Sequence, residues 1–134
     1  MNKALFLDRD GVINERIIGG YVRTTDEFVL ISDVLPILTM AKQRGYLLIL
    51  VTNQQGVGKG LMSYEDLSHV HKHMQEELHS RIGFGLDAIY FCDALATSES
   101  PRRKPQPGML LEAIEDHHLS GSDCWFLGDS ISDA

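Results

Sequence analysis

The chain is poor in cysteine, proline and tryptophan, and it lacks a long hydrophobic run. Two cysteines in 134 residues, Cys92 and Cys124, lie far apart in sequence. That excludes a disulfide framework and predicts reduced thiols in a cytoplasmic protein. The longest apolar run is Tyr46 to Val51, far short of the roughly 18 residues a membrane span needs. Met1 to Asp8 carries one cation and a short apolar stretch that ends in charge, which is no signal peptide. Positive charge is also scarce: 12 basic against 19 acidic residues give a net charge of −7. Nucleic-acid and membrane-surface binding, which need a basic face, are therefore not expected. A small anionic ligand stays compatible, because a few local cations and a metal reverse the field of one pocket.

What remains is an ordinary globule, 43% hydrophobic and 23% charged. The length suits one domain over 1–134, expected to be monomeric and able to bury a core without staples. Four apolar runs have strand length: Ala4 to Leu7, Tyr46 to Val51, Ala88 to Cys92 and Cys124 to Leu127. Helical spacing marks Val34 to Arg44, with Asp33 as N-cap and Gly45 as stop. It also marks Ser63 to Ile82, opened by a serine cap and closed by Gly83, and Gly108 to His118, with Met109 to Leu111 read as core. The alternation predicts an α/β fold, a doubly wound, Rossmann-like parallel sheet with helices on both faces. Residues 11–30 break the rhythm and are read as a hairpin or flap beside the first strand's end. Too few residues are inserted there for a separate cap domain.

Chemistry-bearing residues fall where the strands end. Asp8 and Asp10 follow the first strand in Asp8-Arg9-Asp10-Gly11. Ligands of open α/β sheets bind beyond the carboxyl ends of strands. Two carboxylates there can hold a hard cation such as magnesium, and one can attack phosphorus while the other handles protons. Taken alone, such a pair is more often a solvated turn, and functional roughly one time in three. Thr52 and Asn53 end the second strand, Lys104 precedes the third helix, and Asp129 and Asp133 follow the fourth strand. Each also has a bland reading as a turn residue or a loop cation.

Four such sites in this order resemble the haloacid dehalogenase superfamily of phosphohydrolases. The resemblance rests on Asp8 to Asn14, Thr52-Asn53-Gln54, Arg103 to Met109, and Gly128 to Asp133. The Asp-Arg-Asp-Gly and Arg-Lys-Pro-x-Pro-Gly-Met forms are similar to the small capless branch that contains heptose bisphosphate and histidinol-phosphate phosphatases. It implies that Asp8 is the nucleophile and Asp10 the general acid and base. Thr52, Asn53 and Lys104 would bind the phosphoryl group. Asp8, the Asp10 carbonyl and Asp129 would hold magnesium, with Asp133 supporting. Arg103, and Lys59 in a glycine-rich substrate loop, would hold a second anionic group. The implied substrate is a small phosphorylated metabolite, foremost D-glycero-D-manno-heptose 1,7-bisphosphate. Histidinol phosphate, or phosphate binding with weak catalysis, is the alternative.

Two departures matter. Many members of that branch carry a structural zinc, but the matching positions here are Cys92, Ala94, Ser100 and Arg102. One ligand cannot build a tetrahedral site, so no structural zinc is expected and the loop from Asp93 to Arg102 must be held another way or be mobile. The resembled family also continues past the Gly-Asp-x-x-x-Asp segment with another helix and strand. The sheet is therefore expected to be C-terminally incomplete, a truncated form with Cys124 to Leu127 as an exposed edge and Asp129 and Asp133 on a frayed end. Gly56 to Gly60 fails the phosphate-loop template of nucleotide binders. His69, His71 and His73 are read as a solvated helix face.

Overall fold

The structure, a computed structural model, describes residues 1–95 and 99–128. Its elements run β1 (Ala4–Leu7), α1 (Leu35–Gln43), β2 (Leu47–Asn53), α2 (Gln55–Gly58), α3 (Tyr64–Ile82), β3 (Ala88–Cys92), α4 (Gly108–Asp116) and β4 (Trp125–Leu127). All strand pairs are parallel, in the order β3-β2-β1-β4. The chain moves from β1 outward to β2 and β3, then returns to β4 on the other side of β1. The sheet thus reverses direction at β1, and a crevice is expected at the carboxyl ends there.

Alternation along the strands separates two cores. Leu5, Leu7, Leu48 and Leu50 face one way and meet Val34 and Leu38 beside α1, and Val70, Met74 and Leu78 of α3. Ala4, Phe6, Ile49 and Val51 face the other way and meet Met109 and Ala113 of α4. A strand buried on both faces has to be apolar at every position, which is why β1 and β2 read as continuous hydrophobic runs. Helices therefore cover both faces, as the sequence pattern predicts.

Several details differ from the sequence reading. Strand β2 extends through Thr52 and Asn53. Asp33 does not cap α1; it lies in a 3₁₀ turn over Ser32–Val34 that leads into the helix, and Val34 occupies the cap position. Leu111 is exposed. Helix α4 presents Met109 and Ala113, one turn apart, to the sheet, and a residue two positions from Met109 points away. Residues 11–30 form no regular hairpin. They are pinned by single bridges, Asp10 to Asn14 and Asn14 to Leu30, and anchored by Val12, Ile13, Val22 and Phe28 in the first core. Helix α3 starts as expected, with Ser63 and Asp66 in a reciprocal capping box, and it ends at Gly83, whose φ is 85°. Among the described residues no helix is long and apolar enough to cross a membrane.

Candidate active site

The turn after β1 is built around the Arg9 carbonyl, which accepts from the N–H groups of Val12, Ile13 and Asn14 at 3.1, 2.8 and 3.2 Å. Gly11 takes a positive φ of 88° inside it, a conformation that costs a side-chain-bearing residue energy. The turn sets Asp8 and Asp10 at the mouth of a cavity of about 650 Å³, within the usual range for small-molecule sites. Asp8, Asp10, Asn53, Lys59, Arg103 and Lys104 all line it. These sequence-predicted residues, from two strand ends and two loops, therefore converge on one space. Thr52 lies under its floor, 1% exposed. Asp129 and Asp133 lie outside the described residues.

Asp8 is nearly buried, and its Oδ1 accepts from the Arg9 backbone N–H at 2.8 Å and lies 3.1 Å from Lys104 Nζ. Two donors on one oxygen fix the rotation of the carboxylate. Lys104 is itself buried, with its ammonium 5.5 Å from the Phe126 ring centroid. Its backbone is gripped by Asn53. The amide oxygen of Asn53 accepts from the Lys104 N–H at 3.0 Å, and its amide nitrogen donates to the Lys104 carbonyl at 3.2 Å.

Asp10 is held more tightly still. Its Oδ1 accepts from Arg9 Nη2 at 2.8 Å, Arg9 Nε at 3.2 Å and Asn14 Nδ2 at 2.9 Å. Its Oδ2 accepts from Gln54 Nε2 at 3.1 Å, and the same amide donates to Thr52 Oγ1 at 3.0 Å. Burial alone would raise the Asp10 pKa. The Arg9 charge and the hydrogen bonds from Asn14, Arg9 and Gln54 outweigh it and hold the carboxyl below its usual value. Such bonds favour the ionised form, so Asp10 rests as a base.

Four cationic side chains, Arg16, Lys59, Arg103 and Lys104, line the cavity against the two acids Asp8 and Asp10. This acidic protein thus presents a local cationic excess among the described residues. Lys59 stands 5.5 Å from the Tyr21 ring centroid, and Tyr21 accepts at its hydroxyl from Gln55 Nε2 at 3.1 Å. Residues 17–22 form one wall.

The glycine-rich stretch is a correction. Its first part, Gly56 to Gly58, lies in the helical turn α2, and those two glycines serve close packing, while Gly60 takes a positive φ of 74° in the turn that follows. A Cβ on Gly56 would stand 3.0 Å from Tyr21 Cγ, and one on Gly58 would collide with the Asp93 carbonyl. His71 is a second correction: it is buried, with Nε2 3.2 Å from Arg9 Nη1. The loop that lacks zinc ligands is tied by other means. Arg102 pairs with Glu112 across α4, Arg103 Nη1 donates to the Ala94 carbonyl at 2.9 Å, and the Gly108 N–H donates to the Pro101 carbonyl at 2.9 Å.

Sequence reasoning missed Arg9, Gln54, Gln55, Arg16, Tyr21 and His71. Arg9, sandwiched between the two aspartates, and Gln54, next to Thr52 and Asn53, stood inside quoted motifs and carried a signal. A side chain beside a strand-end Asp pair, fully buried here, is positioned by chemistry the periodicity does not display.

The donor set at the mouth, two carboxylates and the Asp10 carbonyl, is all oxygen and suits a hard divalent cation. Among the described residues no three acidic, histidine or cysteine side chains cluster, and the third expected carboxylate, Asp129, is outside them.

Comparison with known proteins agrees with this geometry. A D-glycero-beta-D-manno-heptose-1,7-bisphosphate 7-phosphatase of Helicobacter pylori is 39% identical over 132 residues, covering 98% of this chain and 75% of that protein. A D-glycero-alpha-D-manno-heptose-1,7-bisphosphate 7-phosphatase of Burkholderia mallei is 39% identical over 139 residues, covering 98% and 72%. The crystal structure of D,D-heptose 1,7-bisphosphate phosphatase from B. bronchiseptica, complexed with magnesium and phosphate, superposes with a TM-score of 0.89 at 29% identity. It covers 99% of this chain and 73% of that one. The model of the haloacid dehalogenase-like hydrolases matches residues 2–134, and the chain belongs to that family.

Proposed function

We propose that the chain is a magnesium-dependent phosphatase that releases the 7-phosphate of D-glycero-D-manno-heptose 1,7-bisphosphate, working as a cytoplasmic monomer of one domain. The observation that carries this reading is the pairing of Asp8 with Lys104 at the mouth of a cavity with excess cationic lining. The relatives' names and identity support the substrate.

Asp8 attacks phosphorus through a carboxylate oxygen, forming an Asp8–phosphate bond as the bond to the sugar oxygen breaks. Asp10, which takes a proton from solvent as the anionic substrate binds beside it, gives that proton to the leaving oxygen. In the second half, water attacks the phosphorus, Asp10 takes the water's proton, and Asp8 is released with inorganic phosphate. Lys104, with Thr52 and Asn53 beside it at the end of β2, neutralises charge on the phosphoryl oxygens, which is most of what phosphoryl transfer asks of a protein. Asp8, the Asp10 carbonyl and Asp129 would hold the magnesium, with Asp133 in support. When bound, the ion neutralises further phosphoryl charge and lets anionic Asp8 approach. Arg103, Lys59 and Arg16 face the second phosphate. That cationic excess disfavours histidinol phosphate, which carries an ammonium group and no second phosphate.

Phosphate release from a panel of phosphomonoesters, with magnesium present, tests the reading on wild type and Asp8→Asn. Wild type is expected to prefer the heptose bisphosphate, to be silenced by EDTA, and to lose activity in Asp8→Asn. Preference for histidinol phosphate overturns the substrate assignment. Equal inertness of both proteins across the panel supports phosphate binding with weak catalysis instead.

A further inference from the structure

His71 sits in the middle of α3 among the buried stripe Leu67, Val70, Met74 and Leu78. It does not line the cavity, and the mechanism above makes no use of it. Its ring packs against Phe91 of β3, with centroids 6.4 Å apart, and its Nε2 is 3.2 Å from Arg9 Nη1. A guanidinium has only donors. His71 must therefore offer the Nε2 lone pair and carry its proton on Nδ1, as a neutral ring. Burial first, and then the Arg9 charge, keep it in that state.

Arg9 is 0% exposed. Its residue touches both carboxylates: the backbone N–H reaches Asp8 Oδ1, and Nε and Nη2 both reach Asp10 Oδ1. With Asn14, that oxygen receives three donors, which uses its two lone pairs fully. Oδ2 has one hydrogen bond, from Gln54. Only Oδ2 retains a lone pair for a proton. The division depends on the guanidinium being turned edge-on to Oδ1, and among the described residues the one side chain bonded to its far nitrogen is His71.

Building on the phosphatase reading, we propose that His71 is a positioning residue for the acid–base step. As a neutral acceptor it holds the Arg9 guanidinium on Asp10 Oδ1, and so it makes Oδ2 the oxygen that gives and takes the proton.

The test compares His71→Leu with His71→Gln, whose amide oxygen can accept from Nη1. Turnover of the heptose bisphosphate and of p-nitrophenyl phosphate is measured, with the ¹H–¹⁵N resonance of the Arg9 Nε–H as a readout independent of catalysis. His71→Leu is expected to lower kcat about tenfold or more, part of the 10²–10⁴ that general acid–base catalysis contributes. KM should change little, because His71 touches no substrate. Its Arg9 Nε–H signal should shift or broaden. His71→Gln should restore kcat to within about threefold of wild type and the resonance to its original position. An unmoved Arg9 signal in His71→Leu overturns the proposal, as does an unchanged kcat. So does a His71→Gln protein as impaired as His71→Leu, since that marks a packing role alone. If wild type hydrolyses none of the esters, the phosphatase reading fails, while the Arg9 resonance still decides whether His71 orients the guanidinium.

Discussion

The side-chain amide of Asn53 closes a two-bond clamp on the backbone of Lys104, 3.0 Å to its N–H and 3.2 Å to its carbonyl. The two residues are 51 positions apart: Asn53 ends β2, and Lys104 lies in the loop before α4. Asn53 thus decides where the Lys104 ammonium stands relative to Asp8. Removing the clamp in Asn53→Ala should lower kcat by about 10²-fold, the cost of a displacement near 1 Å at a reacting centre. Asn53→Asp keeps the acceptor and loses the donor, so it should fall between the two. Steady-state kinetics on the three proteins checks the order.

Lys104 and Asp8 form a mostly buried ion pair, with side chains 5% and 11% exposed. Lys104→Met leaves the Asp8 charge uncompensated. Activity should fall by roughly 10²–10³, and stability should fall by about 3 kcal/mol, as for other broken buried pairs. Adding Asp8→Asn to Lys104→Met should recover most of that stability and none of the activity. Denaturant unfolding of the single and double variants reads the coupling.

His71 makes stability pH-dependent. Its pKa is lowered by burial, and next by Arg9, from 6.5 to about 3 in the native state. Above pH 6.5 the ring is neutral in both states and its contribution is complete. Between pH 6.5 and 3 the unfolded chain takes up a proton that the native ring refuses, so stability is lost as pH falls. The slope reaches about 1.4 kcal/mol per pH unit, or roughly 2 kcal/mol between pH 6.5 and 5. His71→Gln should lack this component. Unfolding midpoints of both proteins at pH 7, 6 and 5 measure the difference.

Gly58 packs where a Cβ would strike the Asp93 carbonyl, whereas Gly121 has open space around it. Gly58→Ala should destabilise by about 1–3 kcal/mol, as overpacking does, and should disturb the adjacent loop that carries Arg103. Gly121→Ala should be close to neutral. Thermal melts of the two variants separate the cases.

The layered fold was legible because it rests on local pattern. Strands buried on both faces must be continuously apolar, and helices between them must show one apolar stripe; both appear in β1, β2, α1 and α3. The positions of Asp8, Asp10 and Asn53 at strand ends, and of Lys104 just before a helix, followed from the same pattern. The histidines did not. His69, His71 and His73 recur at a spacing that reads as a polar face. Yet His71 turns inward beside Val70 and Met74, because the Arg9 guanidinium waits there for an acceptor. Nothing near His71 in sequence announces Arg9, which lies 62 residues away. The glycine-rich turn misled for a related reason: its glycines answer to Tyr21 and Asp93, neither of which is a sequence neighbour.

Which residue types stand at the ends of which strands is a property of the chain alone, since hydrophobic periodicity sets strands, helices and their termini. Which of them touch is a property of the folded sheet. The return of the chain to β4 beside β1, the reach of Asn53 to Lys104, and the burial of Arg9 between Asp10 and His71 all join distant segments. Their geometry comes from packing two apolar layers against one twisted sheet, and no local preference encodes it.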